Sequence, residues 1–141
     1  MKILIICSNL IGDTVLSTGV ISYLQKKYPY ASFTFVIGPN AQPLLKNFRN
    51  IDKIISIEKK KYNLHWIEIL FFNIKNNWDI VIDLKSSLLS LFLKSKKKYV
   101  FKKKSEIHHI QQLSKTFNFD CSNLIIPTSK DEEQIASINI N

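Results

Sequence analysis

Glycine is scarce in this chain, with three glycines in 141 residues. Neither the Gly-x-Gly-x-x-Gly fingerprint of dinucleotide-binding folds nor the P-loop signature occurs in it. Both motifs need glycines because the backbone N–H groups must come close to the phosphates of the ligand. The sequence therefore excludes an ordinary dinucleotide site and an ordinary ATP-phosphate cradle.

Cysteine is rarer still, and the two cysteines, Cys7 and Cys121, lie far apart with no Cys-x-x-Cys pattern. We expect two reduced, partly buried thiols rather than a disulfide framework. His108 and His109 have no Cys, Asp or further His at the spacing of metal ligands, so we predict no metal site.

Long apolar runs are also missing, because the strongest one, at 67–72, is short and contains Glu68. A bilayer-spanning helix needs about 18 apolar residues or more. The apolar amino terminus is broken by polar residues and lacks a small-residue cleavage site, so we expect no signal peptide. With 45% hydrophobic and 22% charged residues, the composition predicts a soluble, cytoplasmic, single globular domain.

Short β-rich runs alternate with helical stretches along the chain. This order predicts an α/β domain with a Rossmann-like, mostly parallel sheet and helices on both faces, the first strand lying at its centre. The predicted strands lie near 2–7, 32–37, 53–57, 79–83 and 98–101. The predicted helices lie near 13–27, 40–47, 63–76, 87–94 and 107–117.

The segment 8–14 follows the first apolar run and leads into a helical stretch, which places Asp13 at the carboxyl edge of the predicted sheet. Open α/β sheets bind their ligands at this edge. A helix N-terminus favours the anionic carboxylate, so Asp13 could accept a proton from a substrate hydroxyl. Alternatively, Asp13 only caps a helix that begins at Thr14. Gly12 either meets the needs of the turn or lets a ligand approach the backbone.

Several segments, taken in order, resemble the amino-terminal half of glycosyltransferase family 9, the ADP-heptose:lipopolysaccharide heptosyltransferases. The match begins with the strand 2–6 and the Gly-Asp segment 9–18. It continues through the second and third strands, the Asp-Leu strand end at 78–84 and the His-containing helix start at 107–110. It covers nearly the whole chain but about half of the family's usual length.

The resemblance implies a GT-B arrangement, in which two Rossmann-like domains face each other across a cleft and no metal is needed. The amino-terminal domain then holds a lipid-linked phosphorylated sugar acceptor, and the carboxyl-terminal domain holds most of the ADP-heptose. Asp13 takes the position of the proposed general base of an inverting transfer. The acceptor-binding residues implied are Asn9, Gly12, Thr14, Lys85, Ser86 and His108, with His109 as the alternative to His108.

The sequence also departs from the family pattern. Lys85 and Ser86 stand where the family usually has Gln-Gly, and Leu89 replaces a basic residue, whereas Ser90 matches. We expect an acceptor-side domain over 1–124 and a linker remnant over 125–141, with the donor-binding half missing or encoded separately. The chain is then one half of a truncated or split glycosyltransferase, or a catalytically inactive remnant.

A dense lysine cluster follows residue 94. It would attract phosphate groups on a lipid acceptor or on the cytoplasmic face of the inner membrane. Nucleic acid is a less suitable partner, because the chain has a single arginine and lacks exposed aromatic repeats. The alternatives are a basic binding module and a merely solvated surface. The lysines concerned are Lys96, Lys97, Lys98, Lys102, Lys103 and Lys104.

Overall fold

The computed structural model describes residues 1–57, 76–102 and 108–128. Five strands, three α-helices and one 3-10 helix are found in these ranges. In chain order they are β1 (Lys2–Ile6), α1 (Ile11–Lys27), β2 (Ser32–Ile37), the 3-10 helix (Pro39–Leu45), β3 (Ile51–Ser56), β4 (Trp78–Asp83), α2 (Leu89–Phe92), β5 (Ser95–Val100) and α3 (His109–Phe117).

The strands form one parallel sheet in the order β3-β2-β1-β4-β5. The predicted α/β class and the central position of the first strand are therefore confirmed. Ile6 at the end of β1 is paired with Asp83 at the end of β4. Because parallel strands end at the same edge, the loops that follow β1 and β4 lie side by side.

The sheet is buried on both faces, as the unbroken apolar runs of its central strands predict. Ile3 and Ile5 of β1 belong to a core that also contains side chains of α1 and α3. Leu4 and Ile6 alternate with them and belong to a second core with Leu89 and Leu93 of α2 and its flank. The period of two along β1 thus supplies one apolar surface to each layer.

The boundaries differ from prediction where local chemistry competes with the apolar pattern. The predicted helix at 40–47 is a 3-10 helix that contains Pro39 and Pro43, and proline supplies no backbone N–H for α-helical hydrogen bonds. The predicted helix at 87–94 is limited to Leu89–Phe92. The last strand begins at Ser95 rather than residue 98, because lysines are tolerated on an edge strand although they are poor strand formers. The predicted helix at 63–76 lies outside the described residues except for Asn76.

Helix α1 packs closely against the chain that follows α3. A Cβ built on Gly19 would lie 2.1 Å from the carbonyl oxygen of Cys121. The N–H of Cys121 donates to Ser114 Oγ at 3.0 Å, which ties this segment to α3. Glycine at position 19 therefore permits the contact between the two helical parts of the fold.

Both cysteines are fully buried, whereas the sequence predicted partial burial, and neither forms a disulfide. Burial raises the pKa of the Cys7 thiol to about 12. Burial also raises the pKa of the Cys121 thiol to about 11. Among the described residues, no helix is both long enough and apolar enough to cross a membrane.

Candidate functional site

A small cavity lies at the carboxyl edge of the central strands, and we call it the Asp13 pocket. Its volume is about 100 Å³, which is small beside the roughly 300–1,000 Å³ of typical small-molecule pockets. It can therefore receive one functional group of a ligand rather than a whole lipid-linked sugar. The residues that line it are Ser8, Asp13, Leu84, Lys85, Ser86, Phe101 and His109.

Asp13 lies in the first turn of α1 and is half-buried. Leu10 is the N-cap of this helix, so the alternative in which Asp13 caps a helix beginning at Thr14 is wrong. Ser8 Oγ donates to Asp13 Oδ2 at 3.1 Å and accepts the N–H of Leu10 at 3.2 Å. The Ser8 hydroxyl thus orients the carboxylate, which lies at the N-terminus of α1, where the unpaired backbone N–H groups and the helix dipole attract negative charge.

Asp83 anchors the loop that follows β4. Its side chain is fully buried and accepts the N–H of Lys85 at 2.9 Å, the N–H of Ser87 at 2.7 Å and the hydroxyl of Ser87 at 2.9 Å. An Asp at the end of a strand could face the cleft or cap the next helix. Asp83 does neither, since it is fully buried and does not line the Asp13 pocket, and the N-cap of α2 is Leu88. Asp83 instead fixes the backbone that presents Lys85 and Ser86 to the pocket.

Ser86 has a backbone conformation that usually requires glycine. Its φ angle is 56°, in the left-handed region that costs a residue with a Cβ about 1–2 kcal/mol. Its hydroxyl donates to the carbonyl oxygen of Phe101, and the N–H of Phe101 donates to Asp83 O at 2.8 Å. Ser86 therefore adopts a glycine-like turn, and its hydroxyl links this turn to the residue that follows β5.

His109, the first residue of α3, lines the Asp13 pocket. Its ring centroid lies 5.0 Å from that of Phe101. His108 is the exposed N-cap residue of the same helix and does not line the pocket. The Asp13 pocket thus includes His109, the alternative that the sequence left open, and not His108. Adjacent residues of a helix point about 100° apart, and the spacing of the motif alone could not choose between them.

Three other residues implied by the resemblance do not line the pocket. Thr14 is fully buried, and its hydroxyl donates to Leu10 O at 3.0 Å and to Ser8 O at 3.3 Å, so it supports the turn. Gly12 is exposed, has no positive φ, and a Cβ built on it would meet nothing within 4 Å. Asn9 packs beside Gly38, and its buried Oδ1 finds no hydrogen-bond donor among the described residues.

Four lysines of the cluster are among the described residues, and they lie on and after the edge strand β5, outside the lining of the Asp13 pocket. Lys96 Nζ lies 2.6 Å from Asp79 Oδ1, and this hydrogen bond, with a second one from the N–H of Lys2, lowers the pKa of Asp79. Lys97, Lys98 and Lys102 are exposed. Lys103 and Lys104 lie outside the described residues.

A larger cavity of about 370 Å³ lies at the opposite edge of the sheet, where β4 and β5 begin. The Lys96–Asp79 ion pair lies in its wall. Because open α/β sheets bind ligands at the carboxyl ends of their strands, we assign the functional site to the smaller Asp13 pocket. The described part of the chain contains no group of three or more side chains that could hold a metal ion.

Ser8 and Phe101 also line the pocket, although sequence reasoning did not select them. The sequence could have indicated Ser8, because it lies two residues beyond the end of β1 and five residues before Asp13. Phe101 had none, since its position depends on the pairing of β5 with β4.

No protein-family model matches the sequence, and a search of curated proteins finds no match. Solved structures do match. A glycosyl transferase family 9 protein from Veillonella parvula DSM 2008 aligns with a TM-score of 0.69 and 22% identity over 99% of this chain and 50% of its own. The E. coli ADP-heptose lps heptosyltransferase II aligns with a TM-score of 0.61 and 17% identity over 100% and 51%.

The E. coli heptosyltransferase WaaC with ADP aligns with a TM-score of 0.63 and 14% identity, over 92% of this chain and 50% of its own. The chain thus has the fold found in about half the length of these proteins. Its structural neighbours are heptosyltransferases and a family 9 glycosyltransferase, as the resemblance in sequence predicts.

Proposed function

We propose that this chain is the acceptor-binding half of an inverting, heptosyltransferase-like glycosyltransferase of lipopolysaccharide core assembly, acting in the cytoplasm. The fold supports a glycosyltransferase, since the chain aligns along 92% or more of its length with such proteins. The observation that carries the proposal is the Asp13 pocket, where an oriented carboxylate meets Lys85 and His109 at the ligand-binding edge of the sheet.

In this proposal Asp13 is the general base. A hydroxyl of the acceptor enters the pocket and gives its proton to the Asp13 carboxylate. Its oxygen forms a bond to the anomeric carbon of the sugar from the face opposite the leaving group. The bond from that carbon to ADP breaks, and the electron pair leaves with the diphosphate, so that the configuration is inverted. General-base catalysis of this kind contributes about 10²–10⁴ in rate.

Lys85 and His109 would position a phosphorylated acceptor. An ammonium group and an imidazole N–H both donate to phosphate oxygens, and a donor that carries charge makes the stronger hydrogen bond. The buried Asp83 holds Lys85 in place through the backbone. The ADP-sugar would be bound by a second half, encoded separately or fused, and the proposal needs no metal or other cofactor.

The test is a reconstituted transfer assay. The chain is co-expressed with, or fused to, the carboxyl-terminal half of a family 9 heptosyltransferase and given lipid acceptor and ADP-heptose. We expect Asp13→Asn to lower the rate by about 10²–10⁴ while the melting temperature changes little. Asp52→Asn, an exposed position on β3, is the matched control and should keep its activity.

Retention of most of the activity by Asp13→Asn would contradict the role of Asp13 as a base. An unmutated assembly that folds and binds acceptor but transfers nothing would instead support the inactive remnant.

A further inference from the structure

The outer side of α2 exposes large apolar side chains. Leu88 is 75% exposed, Leu91 is 67% exposed and Phe92 is 59% exposed. Leu89 and Leu93, on the inner side, are buried in the core between α2 and the sheet. One helical turn therefore has two apolar sides, and only one of them is used by the fold. A cluster of exposed leucine and phenylalanine side chains marks an interaction site more often than a solvated surface.

Lysines border this apolar side. Lys94 is exposed and lies two residues after Phe92. On β5, Lys98 is paired with Val81, whose side chain lies in the core under α2. Because side chains alternate along a strand, Lys96 shares the face of Lys98. Lys97 is paired with Ile80 of the other core and points to the opposite face.

We call the surface formed by Leu88, Leu91, Phe92, Lys94, Lys96 and Lys98 the α2 face. Two carboxylates of β4 lie on this face of the sheet: Asp79 is paired with Lys96 at 2.6 Å, and Asp83 is fully buried. The α2 face is thus apolar at its centre and positively charged along one side. The whole chain has a formal net charge of +9, so its field adds to that of the lysines.

We propose that the α2 face docks on an anionic phospholipid bilayer. Leu88, Leu91 and Phe92 enter the boundary between headgroups and acyl chains, and the lysines bind lipid phosphates. Stable attachment to a membrane usually needs two signals of this kind, one apolar and one basic. A second copy of the chain is a poorer occupant, because two such faces would bring lysines against lysines.

Docking in this way would also serve the Asp13 pocket. Leu88 follows Lys85 and Ser86 by two to three residues, so the loop anchored by Asp83 connects the pocket with the α2 face. A lipid-linked acceptor would then be presented beside the membrane surface. The proposal does not depend on sugar transfer, and it can be tested with the chain alone.

The first test measures binding to vesicles by flotation. We compare phosphatidylcholine vesicles with vesicles that contain about one third phosphatidylglycerol, since anionic lipid attracts basic residues near the surface. The combined variant Leu88→Ser, Leu91→Ser, Phe92→Ser should lower partitioning into anionic vesicles at least tenfold, because apolar area no longer leaves water. Tyr30→Ser, at a residue that is 95% exposed beyond α1, is the apolar control and should bind like the unmutated chain.

The lysines are tested in the same assay. The combined variant Lys94→Gln, Lys96→Gln, Lys98→Gln should lose about fivefold in partitioning for each lysine and depend less on salt. The control variant Lys26→Gln, Lys97→Gln, Lys115→Gln removes the same charge from exposed positions outside the α2 face and should lose less.

The second test asks whether the apolar residues enter the bilayer. Both native thiols are buried, so Leu91→Cys can be labelled selectively with an environment-sensitive NBD probe. Its emission should rise and shift to the blue with anionic vesicles, whereas the same label on Tyr30→Cys should not respond. Circular dichroism checks that each variant is folded.

Absence of binding by the unmutated chain, or unchanged binding by the triple serine variant with no response of the label, would overturn the proposal. A dimer in solution that the triple serine variant converts to a monomer, without vesicle binding, would assign the α2 face to self-association instead. None of these outcomes would affect the transfer assay with Asp13→Asn.

Discussion

Gly19→Ala should destabilise the fold through one defined contact. Alanine is the better helix former by about 0.5–1 kcal/mol in a helix interior, so propensity alone predicts a gain in stability. The added Cβ, however, would lie 2.1 Å from the carbonyl oxygen and 2.9 Å from the carbonyl carbon of Cys121. Because both atoms belong to the backbone, no rotamer change can relieve the overlap.

The size of the effect follows from what must move. To reach a contact above 3.0 Å, α1 or the Cys121 segment must shift by about 1 Å, although Cys121 is fully buried and its N–H is bound to Ser114 Oγ. Overpacking a tight core costs about 1–3 kcal/mol. Because helix propensity offsets about 0.5–1 kcal/mol of this cost, we expect a net loss of about 1 kcal/mol in the free energy of unfolding, out of the 5–15 kcal/mol typical of domains.

Urea unfolding followed by circular dichroism measures this loss. With a slope of about 2 kcal/mol per molar urea, the midpoint should fall by about 0.5 M. Gly12→Ala is the matched control in the same helix, where the added Cβ meets nothing within 4 Å, and it should leave stability unchanged or raise it by about 0.5 kcal/mol. If Gly19→Ala were as stable as Gly12→Ala, the close approach of α1 to Cys121 would be refuted.

Two further predictions concern buried polar groups. Asp83→Asn should lower the free energy of unfolding by about 2 kcal/mol, a loss that urea unfolding measures. An amide cannot accept from both the N–H of Lys85 and the two donors of Ser87. Each lost hydrogen bond to a charged group costs about 2 kcal/mol. Asp120→Asn, which loses a similar pair of bonds to Ser122 at an exposed turn, should cost less, and equal losses would contradict the argument from burial. Cys7 and Cys121 should resist thiol reagents at neutral pH in the native chain, since burial raises their pKa values to about 12 and about 11. Labelling of the thiols should appear only when denaturant is added. Rapid labelling of the native chain would contradict this prediction and show that the thiols are accessible.

Much of the fold could be predicted because the apolar runs in the sequence of the central strands reflect the burial of these strands. The first strand is apolar on both faces, as expected of a central strand in a parallel sheet that is covered on both sides. The edge strand β5 was predicted three residues short, because its lysines contradict strand propensity and are accepted only where no neighbour covers them. The 3-10 helix was predicted as an α-helix, because the spacing of apolar residues does not reflect the backbone N–H groups that prolines lack.

The sequence by itself determined that a carboxylate follows the first strand at the start of a helix, and that lysine, serine and histidine occur later in an order typical of the family. Only the tertiary structure decided which of them meet. Asp13, Lys85 and His109 share one pocket because parallel strands end at a common edge. His108 is the exposed N-cap residue of α3 and Thr14 is fully buried beneath the turn, so neither lines that pocket. Neighbouring residues in the sequence determine the local chemistry of each side chain. Which side chains meet in one pocket depends instead on the pairing of strands that are distant in sequence.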